Sequence, residues 1–227
     1  MPVRKIPKNY RNLTGILASS KSIGAAQFES KLERDFLIHL EFSAEIQTFE
    51  VQPVTIEWSD PDCRRRTYTP DVLINFQKEI HRVPWLCEIK YRTDIKEHWS
   101  ELRPKFLKGI RYAKEHGWRF RLITDIEIRT TYLDNINFLL PFRSRVVSHA
   151  DVDAILKTLL TVKTSITPFQ LLLEVASDEK KRSELLPVIW YLVAHHRIEI
   201  DLDRSLTMQS PMRASTKGDT RLKYLFN

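Results

Sequence analysis

Cysteine is scarce in this chain. Cys63 and Cys87 are its two, too few for a disulfide framework and not at the spacing of a zinc cluster. A cytosolic, reducing compartment fits that count. No apolar run reaches the roughly 18 residues of a membrane span. The N-terminus has no apolar h-region, so neither a transmembrane helix nor a secretory signal is expected. Acidic residues are absent from 1–28, where five basic side chains stand alone, whereas 29–149 and 150–227 each carry a net charge of only +1. Outside the arm, that near-neutrality leaves little electrostatic footprint for finding a DNA sequence unaided.

The rest of the composition is that of a soluble globular protein, with 42% apolar and 29% charged residues among 227. The length suits one large domain or two small ones. The net charge of +7 sits mostly in the arm 1–28. Such an arm suits phosphates or a groove on a partner and is expected to be disordered when free; a solvated tail kept for solubility is the other reading.

Chemistry concentrates between Tyr68 and Lys90. Val72, Ile74 and Phe76 alternate with Leu73, Asn75 and Gln77 as a partly buried strand does, and Pro84 to Ile89 reads as its partner after a polar turn. Asp71 then starts one strand while Glu88 and Lys90 share a face of the next, with Ile89 and Cys87 turned to the core. A divalent ion could bridge Asp71 and Glu88, with the carbonyl near Ile89 and a phosphate oxygen completing a hard-oxygen set. Lys90 would orient the attacking water or neutralise charge developing at phosphorus. For an arbitrary pair of strands, Asp71 would merely close a turn and Glu88 and Lys90 would be an exposed edge pair. Here they lie in a strongly apolar strand, where charge needs a reason.

A further carboxylate lies upstream. The spacing of Phe28, Leu32, Phe36 and either His39 or Leu40 predicts a helix over 28–42, with Glu29 and Glu33 one turn apart on a flank. Arg64, Arg65 and Arg66 precede Asp71 closely enough to line the entrance of a site and grip phosphates. Lys96, Arg103, Lys105, Lys108 and Arg111 carry basic character into the following helix. Trp99–His116 is expected to be that helix, burying Leu102, Phe106, Ile110 and Ala113, with Pro104 in its first turn or bending it and Gly117 at its end. Trp118–Thr124 alternates as a strand, Arg129–Asn137 reads as a connecting helix or turn, and the basic, polar Arg143–Ser148 marks a boundary. Beyond it come three short helical patterns: Val152 to Leu160, Pro168 to Val175 and Lys181 to His195. Ile198 and Ile200 would open a two-stranded wing closed around Thr207 to Met212. That is a winged-helix pattern; a helical docking domain that never touches DNA is the alternative. His195 and His196 read as a helix cap.

The ordered set L-E-R-D-F-L-I-H-L-E-F at 32–42, F-E-V-Q-P-V-T-I at 49–56, R-R-R-T-Y-T-P-D at 64–71 and E-I-K at 88–90 resembles the TnsA-type endonuclease subunit of heteromeric cut-and-paste transposons. Its catalytic domain is of the restriction-endonuclease-like superfamily. The resemblance implies a mixed α/β core over 29–145 after the arm 1–28, and a winged-helix-like domain over 149–227. It places the first acidic ligand on Glu33, with Glu29 as fallback, the metal-binding aspartate on Asp71, the next ligand on Glu88, where relatives can carry glutamine, and the catalytic lysine on Lys90. Ile89 would lend its carbonyl, and Arg64, Arg65, Arg66 and Lys96 would contact DNA. It further implies magnesium, replaceable by manganese, and double-stranded transposon ends as substrate. The implied partners are a TnsB-type DDE transposase cutting the 3′ strands while this chain cuts the 5′ strands, and a TnsC-type AAA+ regulator. The setting would be a prokaryotic cytoplasm, at the nucleoid when DNA is bound. A stand-alone restriction or repair nuclease and a non-catalytic DNA-binding assembly subunit are the rival readings.

Overall fold

The structure, a computed structural model, describes residues 13–60, 62–162 and 164–215. The chain divides between Arg129 and Thr130 into two compact units.

In the first unit, helix α1 (Lys31–Phe42) starts because the Ser30 hydroxyl accepts the Glu33 N–H while Ser30 itself stays extended. Leu32, Phe36 and Leu40 form its buried stripe, each contributing about 1.5–3 kcal/mol of burial. Phe28 is not part of this helix, contrary to the expectation from spacing. It ends strand β2 (Ala26–Phe28), which pairs antiparallel with β1 (Gly15–Leu17). A Cβ on Gly15 would stand 2.6 Å from the Phe28 ring, so the close approach needs glycine.

The arm 1–28 is corrected in its second half; 1–12 lie outside the described residues. Residues 13–28 are folded onto the unit. Ser19 and Ser20 donate from their hydroxyls to Glu41 at 2.6 and 2.8 Å, and the Lys21 ammonium donates to the carbonyls of Leu40 and Ser43. Lys21 is therefore spent on closing the C-terminal end of α1, whose last carbonyls lack intrahelical donors.

The central sheet has the order β3 (Ile46–Val51), β6 (Val72–Phe76), β7 (Trp85–Lys90), β8 (Arg119–Thr124), antiparallel except for the last pair. The parallel β7–β8 crossover runs through α2 (Arg92–Glu97) and α3 (Trp99–Glu115). Both faces of β6 and β7 are covered, so Val72, Leu73, Ile74, Leu86, Cys87 and Ile89 are all buried. A separate hairpin of β4 (Ile56–Ser59) and β5 (Arg65–Tyr68) is inserted between β3 and β6. On α3 the buried face is Phe106, Gly109 and Ala113. Ile110, expected inside, is 48% exposed. Its place is taken by Gly109, because the helix crosses so close that a Cβ there would lie 2.6 Å from the Phe120 ring. Pro104 lies inside α3. The unit closes with α4 (Asp125–Ile128), which Thr124 and Glu127 cap reciprocally.

The second unit opens with α5 (Thr131–Arg143), a helix that runs longer than the connecting helix or turn expected over Arg129–Asn137. It groups with the C-terminal helices, so the division falls ahead of the Arg143–Ser148 stretch: Phe138 meets Trp190 edge-on at 5.5 Å, and the buried Asn135 amide donates to the carbonyls of Leu202 and Arg204. Next come α6 (His149–Thr161), α7 (Pro168–Val175) and α8 (Glu179–Ala194). Thr167 and Asp178 cap the last two, and His195 caps the end of α8. Strand β9 (Ile198–Ile200) pairs antiparallel with β10 (Met212–Ala214), a closing strand slightly later than Thr207–Met212, and Ile166 bridges to Met212. Helices followed by this hairpin give the second unit its winged-helix-like arrangement; the first unit is a mixed α/β core of restriction-endonuclease type. Among the described residues no helix is long and apolar enough to cross a membrane.

Candidate active site

Asp71 stands one residue before β6, and the Val72–Cys87 register puts it opposite Glu88 on β7. Backbone bonds hold it there: its N–H donates to the Cys87 carbonyl at 3.1 Å and its carbonyl accepts the Gln52 N–H at 2.8 Å. Its carboxylate Oδ2 accepts the Ile89 N–H at 2.6 Å. Glu88, 4% exposed, keeps Oε1 2.9 Å from Lys90 Nζ. That ammonium also lies 3.9 Å from Asp71 Oδ2 and donates to the Ile89 carbonyl at 3.1 Å. Asp71, Glu88, the Ile89 carbonyl and Lys90 are thus brought together at one end of the sheet.

Glu33 arrives from the first turn of α1. Its carboxylate folds back to accept the Glu29 N–H at 2.8 Å and the Ser30 hydroxyl at 2.9 Å, and it lies within electrostatic reach of Asp71 and Lys90. Glu29 precedes the helix instead of sharing its flank. Its carboxylate accepts the Gln52 side-chain amide at 3.0 Å, and its charge acts on Asp71.

Burial, then the Asp71 charge, pushes the Glu33 carboxyl up to about 7. Burial and the neighbouring Glu88 carboxylate likewise raise Asp71, against the lowering pull of Lys90. For Lys90, burial acts to lower the ammonium, but Asp71 and Glu88 outweigh it and hold it above its ordinary value. Lys90 therefore stays a cation at neutral pH in this arrangement.

Among the described residues no group of three or more His, Cys, Asp and Glu is gathered closely enough to hold a metal ion. The bonds above account for that: the carboxylate oxygens are turned to Lys90, the Ile89 N–H and the α1 cap. The donor set itself, carboxylates and a backbone carbonyl, fits a hard divalent cation such as magnesium. Two carboxyls raised by burial and by neighbouring carboxylates are groups that a cation would relieve.

The basic residues lie nearby in sequence but on the surface. Arg65 pairs with Glu57 at 2.5 Å and Arg66 with Asp60 at 2.9 Å, both on the β4–β5 hairpin. Arg64 donates its N–H to Asp60 at the hairpin turn, and its side chain is exposed. Lys96 is exposed on α2, six residues past Lys90.

Two residues of this site were not foreseen. Tyr68, buried on β5, donates its hydroxyl to Glu88 Oε2 at 2.7 Å; burial, then the Glu88 charge, raises its phenol, so it remains a donor. Its signal was one aromatic residue ending a run of exposed arginines. Gln52, 7% exposed, bridges Asp71 and Glu29 from a left-handed backbone at φ 48°. Only its place before Pro53 hinted at a constrained backbone.

Two family models match the chain in order. The TnsA-like endonuclease N terminal model covers residues 43–125 and the TnsA endonuclease C terminal model covers residues 127–202. No curated protein sequence matches it. With both halves of the two-domain plan present in sequence order across most of its length, the chain belongs to the TnsA family of transposon-associated endonucleases.

Proposed function

We propose that the chain is a magnesium-dependent DNA endonuclease that hydrolyses the 5′ strand at each transposon end, leaving the 3′ strand to a TnsB-type DDE transposase. The observation that carries this reading is the convergence of Asp71, Glu88 and Lys90 on paired strands, Lys90 Nζ being 2.9 Å from Glu88 and 3.9 Å from Asp71, with Glu33 in electrostatic reach.

Asp71, Glu88, Glu33 and the Ile89 carbonyl would hold magnesium or manganese, with Glu29 the alternative to Glu33. Bound there, the metal would polarise the phosphodiester and lower the pKa of a water. Lys90 orients that water or offsets the charge that grows on the phosphoryl oxygens. Arg64, Arg65, Arg66 and Lys96 grip the flanking phosphates. Exposed ion pairs such as Arg65–Glu57 are worth only about 0–1 kcal/mol, so exchange for a phosphate is easy. The stretch 150–227 carries a net charge of only +1, which suits contact with the transposase and a TnsC-type AAA+ regulator better than independent DNA recognition.

The test is cleavage of an end-labelled transposon-end duplex with magnesium and the partner transposase present. Asp71→Ala and Lys90→Ala should each lose the 5′-strand cut while 3′ cutting persists. Unchanged 5′ cutting would place the active site elsewhere or make the chain an assembly subunit. Specific cutting without any transposase would make it a stand-alone nuclease.

A further inference from the structure

The acidic end of the sheet is also reached by a side chain from the separate β4–β5 hairpin. Tyr68 belongs to the β4–β5 hairpin, is 6% exposed, and donates its hydroxyl to Glu88 Oε2 at 2.7 Å. The other oxygen of the same carboxylate, Oε1, faces Lys90 Nζ at 2.9 Å. A glutamate carboxylate otherwise turns about a broad, two-fold terminal torsion. A donor on one oxygen and a cation on the other remove that freedom. The Tyr68 ring is itself fixed, since a Cβ on Gly109 of α3 would lie 3.1 Å from its Cε1. Its backbone is held by pairing with Ile56. Two residues earlier on the strand, and on the same face, is Arg66.

We propose that Tyr68 is a positioning residue for Glu88: it holds Oε2 so that Oε1 is the oxygen presented to Lys90 and to a divalent cation, and it ties the arginine-bearing hairpin to the acidic set. This rests on the reading of Glu88 as a metal ligand. Nothing in it requires Tyr68 to touch substrate or to give up its proton. Groups that orient a ligand in this way typically change metal affinity by about 10–100-fold when removed. Phosphate contact along Arg64–Arg66 would then act on Glu88 through three residues of continuous strand.

The test is manganese binding to the full chain, followed by electron paramagnetic resonance of the free ion, for the native protein, Tyr68→Phe, Glu88→Ala and the double variant, each with a thermal melt. Tyr68→Phe keeps the ring against Gly109 and removes only the hydroxyl. It should melt cooperatively and bind manganese about tenfold more weakly or worse, and it should have no further effect when Glu88 is already alanine. Native manganese affinity in Tyr68→Phe would overturn the proposal. So would an equal loss in both backgrounds, which is what a merely structural tyrosine gives. Native affinity in Glu88→Ala would instead overturn the assignment of Glu88 as a ligand, and this inference with it.

Discussion

The two ends of α1 treat a carboxylate in opposite ways. At its C-terminal end Glu41, 9% exposed, accepts from the hydroxyls of Ser19 and Ser20 and from the Ser20 N–H at 3.2 Å, while Lys21 covers the adjacent helix carbonyls. At its N-terminal end Glu33 faces Asp71, with Glu29 and Glu88 close behind and Lys90 the cation among them. A satisfied buried carboxylate strengthens the fold; a crowd of acids around one lysine costs stability, which fits the chemistry proposed for it. The same helix thus carries a structural acid and a proposed functional one, eight residues apart.

The comparison is broken most sharply by removing a member from each end. Lys90→Ala should reduce 5′-strand cleavage per folded molecule by about 10³-fold, the scale of losing one preorganised donor to developing charge. Glu41→Ala should do the reverse. It strands three donors, for about 1–3 kcal/mol of stability, read from urea midpoints, and leaves cleavage per folded molecule unchanged.

Acidity sharpens the same contrast. A folded carboxyl at about 7, well above its unfolded value near 4, stabilises the fold fully below about pH 4, and that contribution is lost as pH rises through about 7. The metal-free chain should therefore melt at a lower temperature at about pH 8 than at about pH 5. Asp71→Asn should shrink that difference, and magnesium should restore more at the higher pH. A flat profile in the native chain would show that Glu33 and Asp71 do not repel as described. The smallest effect is expected at the other end of the helix. Lys21→Met removes a cation from the α1 C-terminal carbonyls and should cost about 0.3–1 kcal/mol, with no change in the pH profile.

Much of this was legible in the linear sequence. Alternation around Ile74 and Ile89, the polar turn between them and the helical stripe of α1 gave the strands and the helix that bear the acids. The errors came where local pattern competed with a specific contact. Phe28 fitted the helical period, yet Ser30 capped the helix and left Phe28 to cover Gly15. Ile110 fitted the stripe of α3, yet the close crossing at Phe120 admits only Gly109. The serines and Lys21 looked like part of a loose basic arm, and nothing local reveals that Glu41 awaits them.

The sequence by itself determined the fold class, the order of the elements and the residue types available for phosphodiester chemistry, because periodicity and capping act over a few residues. Only the tertiary structure decided that Asp71 stands opposite Glu88, that Tyr68 reaches in from a separate hairpin, and that Glu33 and Glu41 meet opposite surroundings. Register, burial and charge crowding depend on residues far apart in the chain, such as Asp71 with Ile89, 18 positions on, and Glu88 with Tyr68, 20 positions back, and no local pattern encodes how those segments meet.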